Sequence, residues 1–483
     1  MEWQSELICG TNELMKIMLT GATGLIGKEL GKKLIEKGHE LVILSRSPDR
    51  AQNQIPFPAE VHAWDGLTGD LPPHYFSGVD AVIHLAGESV GEHRWSDSQK
   101  KKILDSRTLG TRTLVQAIQK YKSNPDFKVQ HFISSSAIGY YGQKENPNEL
   151  LTEKSQPGDD FLAQVCVAWE NESVQLREIG VRVAHVRTGI VLSRQGGAMK
   201  KLLPLFSHGM GSVLGDGQQW MSWIHIDDMV AAYLLILEND KIHGAVNAVA
   251  PNPVTNQEFS TQLAKALGSR LFIPVPKFAL KLSLGEMAAI VLNSQKVDSI
   301  KLESFGFHFL YPHLDLALRQ IVGGLQKGEE EFFSEQWLPR SPNEVFPYFC
   351  DEKNLEELTP EFLNFKVLKK STPEISKGTL IDYELSLHGI SVKWRTLIEV
   401  WEPGVRFVDT QIKGPYKKWH HTHEFIKLGH GTLMRDRVIF SLPGGFLGKG
   451  LAGWKVGNDV QKIFNYRRAV ILQRFPQSTR PLV

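Results

Sequence analysis

The chain has 483 residues, 42% hydrophobic and 22% charged, an ordinary globular composition in a length that exceeds one core and suggests about two to four domains. A formal charge of +2 provides no basic face for a nucleic acid, and no apolar run is long enough to span a membrane. Three scattered cysteines, Cys9, Cys166 and Cys350, make no disulfide framework, so a reducing compartment is expected, the cytoplasm by default.

Met1 to Leu14 is too acidic and too poor in apolar residues for a signal peptide, and residues 1–14 are read as an N-terminal tail. The next segment, MKIMLTGATGLIGKELGKKLIEKGHELVILSRS, predicts a strand over Lys16–Thr20, a helix over Leu25–Lys37 and a second strand over Leu41–Leu44. Its turn comprises Gly21, Ala22, Thr23, Gly24, Leu25, Ile26 and Gly27. Gly21 permits the tight turn, Gly24 lets a pyrophosphate approach the backbone, and Gly27 lets the helix pack on its strand. A dinucleotide is therefore expected on the helix N-terminus, where unpaired N–H groups and the helix dipole favour negative charge. The second strand ends in Ser45, Arg46 and Ser47, with no acid to take ribose hydroxyls. A guanidinium there suits a 2′-phosphate, which favours NADP over NAD.

Further strands are expected at Val61–Trp64, Ala81–Ala86, His131–Ser134 and Val181–Arg187, with helices over Ser98–Tyr121 and Phe161–Glu178 between them. This alternation is a doubly wound parallel sheet, Rossmann-like, with its crevice at the carboxyl ends of the strands. From Met199 the pattern loosens, with one helix at Met229–Leu237. Near Leu325 the character changes, giving expected domains at 15–325 and 326–483. The second half predicts a helical stretch at Pro342–Leu358 and strands at Glu331–Leu338, Thr379–Leu387, Ser391–Trp401, Val405–Ile412, Trp419–Lys427 and Gly431–Ser441. A helix at Lys455–Phe475 closes it. An α+β helix-grip arrangement follows, a curved antiparallel sheet around one long helix enclosing an apolar cavity.

TGATGLIG, HLAGE at His84–Glu88, SSSAIGYYG at Ser134–Gly142 and RTGIVLS at Arg187–Ser193 together resemble extended short-chain dehydrogenase/reductases. RWSDSQKKKILDSR, DFLAQVCVAWE, WIHIDD and PVPKFALKLSLGEMAAIVLNSQKV narrow the resemblance to the atypical epimerase-family branch, over Met15–Gln320. The resemblance adds Asp65, Leu85, Ala86, Gly87, Glu88 and Arg107 to the cofactor-binding set. It also implies a small-molecule substrate and, since the superfamily often dimerises through a helix pair, a homodimer as one expected assembly.

The superfamily's chemistry needs a Tyr and a Lys at i and i+4, the Lys lowering the phenol pKa so that a proton passes as a hydride moves. Aligning Glu170 with the acid that follows this pair puts Leu162 and Cys166 in those places. Both catalytic groups are absent, and a buried inert thiol is the plainer reading of Cys166. The remaining candidates are Ser135, Ser136, Tyr140 and Tyr141. Asp227 or Asp228 reads as a helix-starting acid satisfying backbone donors.

EVFPYFCDEKNLEELTPEFLNFKVL, WEPGVRFVDTQIKGPYKKWHHTHEF and TLMRDRVIFSLP resemble the START-like, polyketide-cyclase-type superfamily. A hydrophobic or aromatic ligand is the corresponding expectation. Alternation puts Trp419, His421, His423 and Phe425 on one strand face. Two histidines at i and i+2 can bind a metal, with Asp436 a conceivable third ligand, but nothing else in the sequence completes a site and no metal is expected. Three readings stay open: an NADP-dependent oxidoreductase without the Tyr-Lys pair, a non-catalytic nucleotide-sensing regulator of the kind linked to cell division, and a lipid- or polyketide-binding module.

Overall fold

Ile17 to Thr20, within the strand Lys16–Thr20 (β1), are completely buried, a position that only the centre of a sheet covered on both faces provides. The computed structural model describes residues 13–68, 71–387, 389–443 and 445–476, so Cys9 and the expected tail up to position 12 lie outside the described residues. After β1 the principal elements are Leu25–Glu36 (α1), Glu40–Ser45 (β2), Pro48–Gln54 (α2), Glu60–Ala63 (β3), Val79–His84 (β4), Asp97–Tyr121 (α3), His131–Ala137 (β5), Phe161–Val174 (α4), Arg182–Thr188 (β6), Ile226–Glu238 (α5) and Gly244–Ala248 (β7). The strands pair in parallel in the order β3-β2-β1-β4-β5-β6-β7. Strand order reverses between β1 and β4, which places the crevice of a doubly wound sheet beyond their carboxyl ends.

Three departures from the expected boundaries have local causes. The strand predicted to reach Ala86 stops at His84, because the chain then bends beneath the glycine turn, with Leu85 N donating to Thr20 O (3.3 Å) and Ala86 N to Thr20 Oγ1 (3.2 Å). The helix predicted to Glu178 ends at Val174 and tightens into a 3₁₀ turn, Gln175–Ile179. Helix α5 starts at Ile226, since the His225 ring caps it by accepting from Asp227 N at 3.2 Å. Asp227 and Asp228 both lie in the first turn of α5, but Asp228 does not satisfy the helix's own donors. Its carboxylate accepts from Leu310 N (2.7 Å) and Tyr311 N (3.0 Å) of a distant segment.

The second half forms an antiparallel sheet from Glu330–Leu338 (β8), Lys366–Lys370 (β9), Leu380–Leu387 (β10), Ile390–Glu402 (β11), Arg406–Lys413 (β12), Lys418–Leu428 (β13) and Gly431–Ser441 (β14). Its order is β8-β14-β13-β12-β11-β10-β9, and the helix Gly445–Arg474 (α6) packs against it. Strand β9, KVLKK, has no apolar alternation to betray it. It is a half-exposed edge whose lysines guard against pairing with other chains. The stretch 342–358 is three short pieces rather than one helix.

The two halves dock through α1. Lys32 Nζ lies 2.8 Å from Glu335, which also accepts from Arg435 Nε at 2.9 Å, and Trp337, Leu428 and Leu433 join the core under the parallel sheet. A second pairing joins Arg194 and Arg437 to Glu331, both arginines also donating to Gly323 O. Among the described residues no helix is long and apolar enough to cross a membrane.

Candidate functional site

The glycine turn separates into two packing positions and one open one. Gly21 has φ +70°, and a Cβ there would sit 2.7 Å from the Leu85 carbonyl carbon; one on Gly27 would sit 2.3 Å from Gly21 O. A Cβ on Gly24 would meet only Gly21 O, at 3.2 Å. Gly24 is also the N-cap of α1, and no side chain caps that helix. The first-turn N–H groups are therefore open to an anion beside Thr23 and Gly24, both exposed, while Ala22 is buried and Leu25 and Ile26 are half-buried. These residues fit a pyrophosphate.

Arg46 and Ser47 are exposed at the end of β2, where Ser47 N donates to Ser45 Oγ at 3.3 Å. Asp65 follows β3 and accepts from the Thr68 hydroxyl, Leu67 N (2.9 Å) and Thr68 N (2.8 Å); these bonds, the hydroxyl's first, hold its carboxyl below the usual range. On the far side of the turn, Leu85–Glu88 is braced by Arg107. Its Nη1 donates to Glu88 O and Ile103 O, both at 3.0 Å, and its guanidinium lies 5.1 Å over the Trp169 ring. A Cβ on Gly87 would approach the guanidinium carbon to 3.2 Å. The cofactor candidates thus lie along the carboxyl ends of β1 to β4, apart from Arg107, which reaches in from α3.

His84 was not singled out as a polar group, and it anchors this region. Thr20 Oγ1 accepts from Ala86 N and shares a hydrogen bond with His84 Nδ1, 2.7 Å away. Complete burial pushes this imidazole down to about 3. It is neutral at physiological pH.

The four catalytic candidates occupy two environments. Ser136 Oγ donates to Glu170 Oε1 at 2.6 Å, and Glu170 takes both forks of Arg187 at 2.9 Å. Arg187 Nη1 donates at 3.1 Å to the Tyr141 hydroxyl, which donates to Asn247 Oδ1 at 2.6 Å. Burial raises the Tyr141 phenol to about 12. Ser135 Oγ is 2.7 Å from the hydroxyl of fully buried Tyr233. Only Tyr140 is half-exposed with a hydroxyl that has no hydrogen-bond partner among the described residues, its ring stacked 3.4 Å from the Arg187 guanidinium carbon. Leu162 and Cys166 face the turn before it: a Cβ on Gly139 would lie 3.4 Å from Leu162 Cβ and 3.9 Å from Cys166 Sγ. Burial lifts the Cys166 thiol to about 11, which disfavours the thiolate.

In the second half a cavity of about 190 Å³ lies between the sheet and α6, walled by aromatic residues including Tyr383, Trp394, Phe407 and Trp419. Its polar floor is His421 and His423 on β13 with Asp409 on β12, and Arg467 of α6 beside them. Cross-strand register explains the cluster: Asp409 pairs with His421, and Asp436 with His423. Asp409 escaped the sequence reading because that register depends on the length of the hairpin joining β12 to β13. Alternation along Phe407, Asp409 and Gln411 was the available signal.

Three family profiles match successive parts of the chain: NAD dependent epimerase/dehydratase family over 17–248, a domain of unknown function (DUF1731) over 275–321, and polyketide cyclase / dehydrase and lipid transport over 338–465. The chain is 38% identical over 315 residues to the Arabidopsis thaliana epimerase family protein SDR39U1 homolog, chloroplastic, covering 64% of this chain and 87% of that one. Among solved structures it is similar to human epimerase family protein SDR39U1 with NADPH, at 33% identity and TM-score 0.57, over 64% of this chain and 100% of that one. It is also similar to a nucleoside-diphosphate sugar epimerase of Corynebacterium glutamicum, at 34% identity and TM-score 0.53, over 66% of this chain and 60% of that one.

Proposed function

Because the chain belongs to the epimerase family through its first two-thirds, we propose that it binds NADP(H) across the β1/β4 crevice. Gly21 to Gly27 take the pyrophosphate, Arg46 with Ser45 and Ser47 the 2′-phosphate, and Asp65 the adenine side. Leu85 to Glu88, held by Arg107, take the nicotinamide side. The observation that carries this reading is the uncapped α1 N-terminus under the open Gly24, followed by a strand end that offers a guanidinium and no acid. The bound cofactor would supply hydride. Beside it, Ser135 and Tyr140 are the groups nearest to solvent that can orient a small carbonyl substrate, while Ser136 and Tyr141 hold Glu170 and Arg187 in place.

A second reading is a nucleotide-sensing protein without turnover, favoured by the apolar Leu162 and Cys166 where the superfamily uses Tyr and Lys. The reading divides the chain near residue 325, between the helix ending at Val322 and β8, and gives the second half a hydrophobic or aromatic ligand. It places the chain in the cytoplasm, on the unpaired Cys166 and Cys350, and admits a homodimer. NADPH oxidation across a panel of small carbonyl compounds tests it: turnover that falls in Tyr140→Phe supports the oxidoreductase, and tight NADPH binding without turnover supports the sensor.

A further inference from the structure

We propose that Asp409, His421 and His423 form a site for a divalent transition-metal ion, open toward the aromatic cavity of the second half and suited to a flat ligand carrying an oxygen donor. This goes beyond the nucleotide reading and does not rest on it.

One oxygen, Asp436 Oδ1, lies 3.2 Å from His421 Nε2 and 2.7 Å from His423 Nδ1. A carboxylate oxygen only accepts, so the His421 Nε2 hydrogen bond to Asp436 leaves a lone pair on Nδ1 of the neutral ring. His423 Nε2 is hydrogen-bonded to Asp409 Oδ2 at 3.1 Å while its Nδ1 faces Arg467 Nη2 at 3.4 Å, so a metal ion at Nε2 would take the place of that hydrogen. His421 Nδ1 and His423 Nε2 lie 3.4 and 3.1 Å from one oxygen, Asp409 Oδ2. One ligand atom from each of Asp409, His421 and His423, on two strands, lies within 4.8 Å of the other two. A cation at their centre would displace the shared His423 hydrogen and bond all three. Donor atoms held about 2.1 Å from one tetrahedral ion stand roughly 3.4 Å apart, close to the spacing here.

The surroundings divide as they do at reactive metal centres. Asp436 does not line the cavity and takes the outer N–H of His421, with His423 Nδ1 2.7 Å away, the role of a carboxylate that fixes ligand tautomer and basicity. Asp409, His421 and His423 do line it, leaving the remaining coordination positions toward empty space. A second, independent feature points to a ligand. Arg467, only 8% exposed, lines the same cavity, and its Nε has no hydrogen-bond partner among the described residues. An engineered cavity of about 150 Å³ accepts benzene, so about 190 Å³ between Trp394 and Trp419 suits a single substituted ring. A carboxylate, ketone or phenolate on that ring would reach the ion and Arg467 together.

The test is a Co²⁺ titration of the tag-free, chelator-stripped full chain, followed by visible ligand-field absorption, with Zn²⁺ as competitor. The proposal expects one Co²⁺ per chain, displaced by Zn²⁺. Asp409→Asn and His423→Gln should each weaken binding at least tenfold, and Asp436→Asn about 10–100-fold with the band shape retained. Far-UV circular dichroism shows that each variant is folded. The wild-type titration decides by itself if a variant does not fold. Absence of a band at stoichiometric Co²⁺ overturns the proposal, and so does a band unaffected by both Asp409→Asn and His423→Gln.

Discussion

The parallel-sheet cleft and the helix-grip cavity both contain buried polar side chains, but they deploy them in opposite ways. Around the cleft, Ser136, Glu170, Arg187, Tyr141 and Asn247 form a chain of short bonds, and Ser135 is tied to Tyr233. Those polar atoms point mostly at each other, with Asn247 Nδ2 left without a partner among the described residues, and Leu162 and Cys166 lie beside Gly139. In the cavity, Asp409, His421, His423 and Arg467 bond one another and Asp436 while lining open space, with Arg467 Nε lacking a partner among the described residues. Buried polar atoms left without partners are costly and are retained where a ligand completes them. The contrast teaches that the polar chain of the first half turns inward, whereas the polar cluster of the second half faces a cavity.

The sharpest way to break this division is Gly27→Val. A side chain there collides with Gly21 O, so NADPH binding should weaken by at least about 100-fold, or roughly 3 kcal/mol, in a fluorescence titration. The second half should be untouched, and a parallel loss of Co²⁺ binding would show that the halves are not separate. A larger disturbance than expected for a catalytic residue should follow from Glu170→Ala, which leaves Arg187 buried and unpaired. Unfolding in denaturant should show a loss of about 3–5 kcal/mol, whereas Ser135→Ala should cost far less.

Acid acts on both halves, since burial also lowers the His421 imidazole to about 4, and one substitution isolates a share of the first half's response. His84 and His185 are held by burial near 3 and 4, below the ordinary 6.5, so the folded first half binds fewer protons than the unfolded chain. Their contribution is intact above pH 6.5 and is lost as the pH falls toward those values, by up to about 1.4 kcal/mol per pH unit for each group. His84→Asn, which keeps a hydrogen-bond partner for the Thr20 hydroxyl, should flatten the slope of stability against pH between 6 and 4. An unchanged slope would assign acid sensitivity elsewhere.

Local patterns carried the first half well. The spacing of Gly21, Gly24 and Gly27, the guanidinium at Arg46 and the loss of the Tyr-Lys pair at Leu162 and Cys166 are all consequences of sequence neighbours, and α1, β2 and α3 lie within a few residues of where periodicity puts them. What escaped depends on distance along the chain. The Ser135–Tyr233 bond spans 98 positions, and the Lys32–Glu335 pair that docks the halves spans 303. His225 displaced the acids as the cap of α5, a role that only its backbone geometry reveals. Asp409 became the cavity carboxylate, and Asp436 the outer one, through strand register that composition does not encode.

The most direct test of the nucleotide reading is calorimetric titration of the full chain with NADPH and NADH, repeated on Arg46→Ala. One NADPH per chain, bound at least about tenfold more tightly than NADH, with the preference lost in the variant, is the result expected from a guanidinium on the 2′-phosphate, a charge-assisted contact of about 1.5–3 kcal/mol. Equal affinities for the two nucleotides in the wild-type chain, or a preference that survives Arg46→Ala, would contradict it.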